Sequence, residues 1–447
     1  MYSPSNPVTL MRQLNRRTYL LGAFWSSSVS LMSKTSAFLQ QLVVAFMLGA
    51  NIHTDIYYYL FALTLQVTSI TQSLSTSVLV PHAMTLRSVN PEQEMRFHST
   101  FLCLILLFVG FISVLTLLMG ERMACWLMNF PRSEVLQHME MFYWFFPLVL
   151  LMILCYYLGE ILVSFGYFMM SILTHLIINV SGILTLLILR PGDNLVCLMQ
   201  SGCIAMSVFV MVQLWVLFRV VRWRFYLPDF SLVPKHLGSL SAIVAGQGMI
   251  VVVTMLPLYW LSQYGPGLVT LVNYAQKFVQ SPLAIIQQVG SVLQVRLNQM
   301  VAHRDTIQAL RNALLPTLRV FFLLALVSST VIFLLRDFIS HWLYGMGRLP
   351  SENQLLLSWL LGLMAFSMPF TAIATAWQRL YFACRRVWLY FYLMTAVNVL
   401  SLILYYVFIR AWVATGYAIV FLLVEAIIAF AMYMGQRTAF KQRLNGI

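Results

Sequence analysis

Apolar runs of about twenty residues recur from Leu20 to Met434, broken by short polar and basic interruptions. Each run is long enough to cross a bilayer. Backbone exposed to lipid has to satisfy its own hydrogen bonds, so runs of this length are helices. The alternating ten-residue strands of an outer-membrane barrel are not seen. The pattern predicts spans near 20–48, 56–82, 99–120, 137–163, 166–189, 195–218, 238–262, 267–295, 313–335, 355–378, 387–409 and 411–434. The expected fold class is therefore an all-α polytopic membrane protein of about twelve transmembrane helices.

Basic residues test that count. With the N-terminus cytoplasmic, the inside segments hold eighteen Lys and Arg and the outside segments six (Arg122, Arg132, Arg190, Arg336, Arg348 and Arg410). Retention of Lys and Arg on the cytoplasmic side predicts such a bias, and places both termini inside. The longest basic loop, Val220 to His236, divides the spans into six and six. Ile178-Asn179-Val180 and Val397-Asn398-Val399 place Asn-Val pairs 219 positions apart, and Pro147 and Pro369 stand 222 apart, each in the fourth span of its half. These landmarks predict a repeat of two halves with the same orientation. The expected organisation is a cytoplasmic segment 1–19, an N-lobe 20–218, a basic loop 219–237, a C-lobe 238–435 and a cytoplasmic tail 436–447.

Composition sharpens this picture by exclusion. Only 9% of the 447 residues are charged and the mean hydropathy is +0.83, whereas soluble proteins carry roughly 25% charged residues. The net charge of +14 sits in loops, where it sets topology and meets anionic headgroups; nucleic acid is not an expected partner, because no basic surface domain is present. Cys103, Cys125, Cys155, Cys197, Cys203 and Cys384 lack metal-ligand or disulfide spacing and read as small apolar packers. Walker, HExxH and GxSxG patterns are absent, as is any long loop able to house a catalytic domain. The chain reads as no enzyme, with no cofactor and no metal. Its first span is expected to direct insertion without a removable signal peptide.

Polar residues within the spans carry the candidate chemistry, since a charged side chain at mid-membrane costs about 2.5–3.5 kcal/mol on insertion scales. In the first span stand Lys34, Gln40 and Gln41, with Lys34 and Gln41 seven positions apart on one helical face. In the eighth, Asn273, Lys277, Gln280, Ala284, Gln287, Ser291 and Gln294 follow alternating spacings of four and three, a stripe that runs along the whole helix. Facing lipid, that stripe would be costly. It is expected to line a cavity, though a seam between packed helices would read the same way. The second span has a lighter face of Gln66, Ser69, Ser73, Thr76 and Ser77, the kind that also joins helices. Glu160 and Arg379, equivalent under the repeat, are candidates for a gate, and Glu425 for a coupling-ion site. Asp55 reads as an interfacial cap and His175 as a core histidine. A lysine in each half makes an anionic substrate the natural partner, and inward amides suit sugar hydroxyls.

Two stretches are similar to a known family. Ser33-Lys34 followed by Leu48-Gly49-Ala50-Asn51-Ile52-His53-Thr54-Asp55-Ile56-Tyr57-Tyr58 resembles the first helix and loop of MurJ/MviN-type proteins. Asn273-Tyr274-Ala275-Gln276-Lys277-Phe278-Val279-Gln280-Ser281-Pro282, with Gly290-Ser291-Val292-Leu293, resembles their eighth helix. Those proteins are lipid II flippases of the multidrug/oligosaccharidyl-lipid/polysaccharide exporter superfamily. The resemblance implies two six-helix lobes around a central cavity, alternating access, and an undecaprenyl-pyrophosphate-linked sugar as substrate. It puts Lys34 and Lys277 where the family carries cavity arginines; lysine meets phosphate as a point charge rather than a bidentate fork.

There are departures. Gln40-Gln41 replace an Arg-Asp pair, Gln276 replaces an acid, a double arginine is missing near Ser69 and Ile70, and two C-terminal helices of lipid II flippases have no counterpart. They direct the expectation away from lipid II and toward a capsule, exopolysaccharide or O-antigen repeat unit, carried across a bacterial inner membrane alongside the proteins that build or polymerise the glycan. Two other readings stand: a cation-coupled multidrug antiporter, which needs a membrane carboxylate such as Glu425 or Glu160, and a membrane glycan polymerase, which ordinarily needs a large external loop.

Overall fold

The structure, a computed structural model, describes residues 7–167, 169–190, 194–302, 307–384 and 386–444. Side chains are described from Ser28 onward except at 88–89, at positions within 232–242 and 284–311, at 387 and beyond 435. The described chain is helical throughout its spans: α1 (Pro7–Leu48), α2 (Ile52–Leu74), α3 (Val80–Val89), α4 (Pro91–Leu127), α5 (Arg132–Gln137), α6 (Met139–Ser164), α7 (Met170–Leu189), α8 (Val196–Trp215), α9 (Val233–Leu261), α10 (Leu268–Ala302), α11 (Ile307–Phe338), α12 (Ser351–Ala365), α13 (Met368–Ala383) and α14 (Val387–Leu444).

Local chemistry explains where these helices divide. Pro81 has no N–H to give the carbonyl one turn earlier. The ladder ahead of it widens to a π-turn over Ser75–Leu79, closed by the Val80 N–H on the Ser75 carbonyl, and α2 and α3 together make the second span. The tenth span breaks after Ala365, and Pro369 opens α13 in a first-turn position where its missing N–H costs nothing. Pro147, its counterpart in the first half, lies inside an unbroken α6. Val413, at a φ of 51°, splits α14 into the eleventh and twelfth spans. Gly416 lies against that turn, where an added Cβ would collide with the Phe408 carbonyl.

Nine described helical segments are long and apolar enough to cross a membrane, the last of them covering both halves of α14. The two predicted spans missing from that set are α2 and α10, the helices that carry the polar faces. Polarity lowers their hydropathy, while their lengths, 23 and 35 residues, suffice to span.

The described chain forms two compact units. The first comprises Met1–Gln40, Leu63–Ala124 and Met139–Gly248. At its centre α6 packs against α7 and α8, burying Phe142, Tyr156 and Tyr157. The second comprises Gln41–Ala62, Cys125–His138 and Met249–Ile447. Here α13 packs against α10, α11 and α14; its Ala372, Ala374 and Ala376 are buried, and such small side chains let helices approach closely where no hydrophobic effect drives them together.

Candidate functional site

In the second unit the candidate site grows around Lys277 in the first half of α10. Tyr57 and Tyr58 are adjacent in α2 with Phe61 one turn on, and Tyr57 stacks on Phe61 at 5.8 Å. Tyr58 meets Tyr274 edge-on at 5.6 Å, and Tyr274 stacks on Tyr344 at 5.2 Å. The Lys277 ammonium lies 5.3 Å from the Tyr58 ring and 5.7 Å from the Phe61 ring, within reach of cation–π attraction. A half-buried lysine is thus held on an aromatic floor. Gln41 borders the same group: its Nε2 donates to the Tyr344 hydroxyl at 3.3 Å, and its Oε1 is buried without a hydrogen-bond partner.

A second polar node, fully buried, lies at the start of α10. Asp55 accepts the Gly267 N–H at 2.6 Å on Oδ2, and the Thr270 N–H at 2.7 Å and hydroxyl at 2.6 Å on Oδ1. Helix N-termini leave four N–H groups unpaired and favour negative charge; Asp55 supplies both needs for α10 from a distant stretch of chain. The expected interfacial cap is therefore real, but it caps α10 and not its own helix. Asn51 and Thr54 cap α2 reciprocally, at 2.9 Å each way. Tyr274 then ties α10 to the carbonyl of Gly49 at 3.0 Å. Gly49 sits at a φ of 71°, with an added Cβ 2.6 Å from the Arg348 oxygen.

In the first unit Lys34 is exposed on α1. In the same unit His175 of α7 has its Nε2 2.6 Å from the Tyr156 hydroxyl. His175 is thus a partnered histidine, as its type suggests. Glu160, one turn beyond Tyr156, is buried. Gln66 and Ser73 are both half-buried on one face of α2.

The other candidates in the second unit divide by burial. Gln280 is exposed, whereas Asn273 is buried and its amide donates to the Val269 carbonyl at 3.0 Å. The Gln287 and Gln294 side chains lie outside the described residues. Arg379 has a buried Nε without a hydrogen-bond partner, and Glu425 accepts the Thr371 hydroxyl at 2.9 Å. No group of three or more His, Cys, Asp or Glu side chains able to hold a metal occurs among the described residues. The aromatic floor and the targets of Asp55 escaped the sequence reading. The signal for the floor was present in Tyr57-Tyr58 and Phe61 at helical spacing, which reads equally well as core.

With this geometry in view, comparison with known proteins is informative. The family model described as "Lipid II flippase MurJ" matches residues 44–446. This chain belongs to the MurJ family. No curated protein matches it. Among solved structures, the lipid II flippase MurJ in an inward closed conformation is 15% identical, with a TM-score of 0.81, over 93% of this chain and 89% of that one. An inward-facing multidrug-resistance MATE transporter of the MOP superfamily is 12% identical, with a TM-score of 0.77, over 93% and 98%. A MATE transporter from Vibrio cholerae is 13% identical, with a TM-score of 0.66, over 96% and 98%. The fold is the MOP exporter fold, and the chain is a multi-pass membrane protein of a flippase family.

Proposed function

We propose that this protein is a flippase for an undecaprenyl-pyrophosphate-linked oligosaccharide, a polysaccharide or cell-envelope glycan precursor, working by alternating access in a bacterial inner membrane with both termini cytoplasmic. The observation that carries the reading is the MurJ family match over residues 44–446. Lys34 and Lys277 supply cationic charge on helices poor in it; they engage the pyrophosphate, while Gln66, Ser73 and Gln280, with Gln287 and Gln294, receive sugar hydroxyls. Gln41 and Asn273 shape the site from buried positions. Gln40, Gln41 and Gln276, in places where the resembling family has charged residues, favour a glycan other than lipid II. Glu160 and Arg379 act as gate residues, each in its own unit. The lipid tail stays in the bilayer throughout, and the substrate passes to or from glycan-synthesis or polymerase proteins.

A second reading, a cation-coupled multidrug antiporter, would give the coupling-cation role to Glu425, a membrane carboxyl that accepts the Thr371 hydroxyl. The double substitution Lys34→Ala, Lys277→Ala separates the two. With the membrane level of the variant checked, cells are assayed for surface glycan and for lipid-linked precursor on the cytoplasmic side. Loss of glycan with precursor trapped inside is the expected result. Normal export by the double variant would remove both lysines from pyrophosphate binding and shift weight to the antiporter.

A further inference from the structure

The segment that follows α8 is neither helix nor free loop. After a π-turn over Val216–Val220 the chain runs extended along the start of α4, inside the first unit. Three backbone N–H groups are pinned to α4 side chains: Arg224 to the Met95 sulfur at 3.3 Å, Tyr226 to the Ser99 hydroxyl at 3.1 Å, and Asp229 to the Thr100 hydroxyl at 2.8 Å. Ser99 and Thr100 are fully buried under this strap, and its own Trp223 is buried as well. With the backbone pinned in this way, Trp223 turns inward while the side chains of Arg222, Arg224, Phe225 and Leu227 are exposed.

What points outward has a mixed character. Leu227 is 89% exposed, the highest value among the large apolar side chains of the described residues, and Val220, Phe225 and Phe230 are also open. Arg219, Arg222 and Arg224 are exposed between them. The acid of the strap, Asp229, accepts both the N–H and the hydroxyl of Ser231. Large apolar groups in water are costly at about 25 cal/mol per Å², and an exposed patch of this kind marks an interaction surface. Its occupant is indicated by continuity: the lipid-facing side of α8, with Met211 and Trp215 exposed, leads into the strap without interruption.

We infer that the strap Val221–Phe230 is an interfacial anchor that binds the anionic phospholipid surface at the end of α8, with Phe225 and Leu227 entering the acyl boundary and Arg219, Arg222 and Arg224 holding the headgroups. Amphipathic segments bind in this way by combining apolar burial with attraction to anionic lipid. The inference does not depend on what the protein carries.

The test uses the full-length protein in nanodiscs, with an environment-sensitive fluorescent amino acid incorporated in place of Leu227. Quenching is measured with a nitroxide carried on phosphatidylglycerol, a nitroxide carried on phosphatidylcholine, and iodide in the water. A reference probe at Glu352, exposed in the first turn of α12, sets the level of solvent access. The expected result is strong quenching by lipid-borne nitroxide, weak quenching by iodide, and a severalfold preference for phosphatidylglycerol. Each basic group near a charged surface contributes roughly a fivefold preference for it, so the Arg219→Gln, Arg222→Gln, Arg224→Gln variant should lose the lipid preference yet keep the nitroxide quenching. Iodide quenching equal to that at Glu352 overturns the inference. So does protection that appears only as protein density rises, because the surface would then belong to a second copy of the chain.

Discussion

Replacing Asp55 with Asn keeps the size of the side chain and removes one acceptor. Oδ1 can still receive the Thr270 N–H and hydroxyl, but the new amide turns a donor toward the Gly267 N–H, which approached Oδ2 at 2.6 Å. A buried donor left unpaired costs about 1–3 kcal/mol. The two surviving bonds lose the ionic character that makes such contacts roughly twice as strong as neutral ones. Together these come to about 3 kcal/mol, and Asp55→Ala, which leaves both backbone N–H groups without their acceptor, should cost more. At about 2–4 °C per kcal/mol for a large domain, Asp55→Asn should lower the thermal midpoint of detergent-solubilised, monodisperse protein by roughly 6–12 °C. Thr270→Val provides the cross-check, since it removes the hydroxyl that bonds Asp55 and Thr54. Because the two side chains share contacts, their effects should be less than additive. Full additivity, or a midpoint unchanged in Asp55→Asn, would refute the view that this carboxylate caps α10.

Arg87 and a pair of glycines carry the remaining predictions. Arg87 meets both Glu94 oxygens, at 2.7 and 2.9 Å from Nε, the Ser164 carbonyl and hydroxyl, and the Phe165 ring at 3.6 Å. It ties the last turn of α3 to the first turn of α4 and to the end of α6. Breaking a buried pair costs about 3–5 kcal/mol; with Arg87 about a quarter exposed (26%), Arg87→Ala should fall near the low end, and Arg87→Lys should rescue only in part because it lacks the fork. Thermal midpoints of the two variants check this, and equal values would refute the bidentate argument. Gly49→Ala should destabilise strongly, since the backbone is left-handed there and the new Cβ meets the Arg348 carbonyl. Gly110→Ala, in open space on α4, should be neutral or gain about 0.5–1 kcal/mol in helix propensity. Yield and thermal midpoint, measured side by side, distinguish them.

Much of this architecture was legible in the residue pattern because the bilayer imposes a length on each span and leaves helix as its form. The polar helices α2 and α10 were legible through periodicity although hydropathy alone passes over them. Periodicity reports which residues share a face, not what that face meets. Lys34 and Gln41 share a stripe by spacing, yet Lys34 is exposed and Gln41 is buried against Tyr344. Asn273 belongs to the stripe of Lys277 and turns back onto its own helix. Contacts set by tertiary structure were beyond the pattern. Nothing near Asp55 announces Gly267 and Thr270, and nothing in Val413 announces a left-handed turn between two spans.

The capping of α10 by Asp55 also has a temporal side. The ribosome releases the acid more than two hundred residues before the N–H groups that will receive it, so during synthesis the carboxylate waits without its partners. The donors in turn emerge into a chain half whose cap was made long before. The C-terminal half is thus not a self-sufficient module in the order of assembly: its polar helix is completed by the first turn of α2, laid down near the beginning. A split between the halves at the basic loop would leave each fragment holding one side of a buried bond, and reassociation of the fragments, not independent folding, would be the route to the native unit.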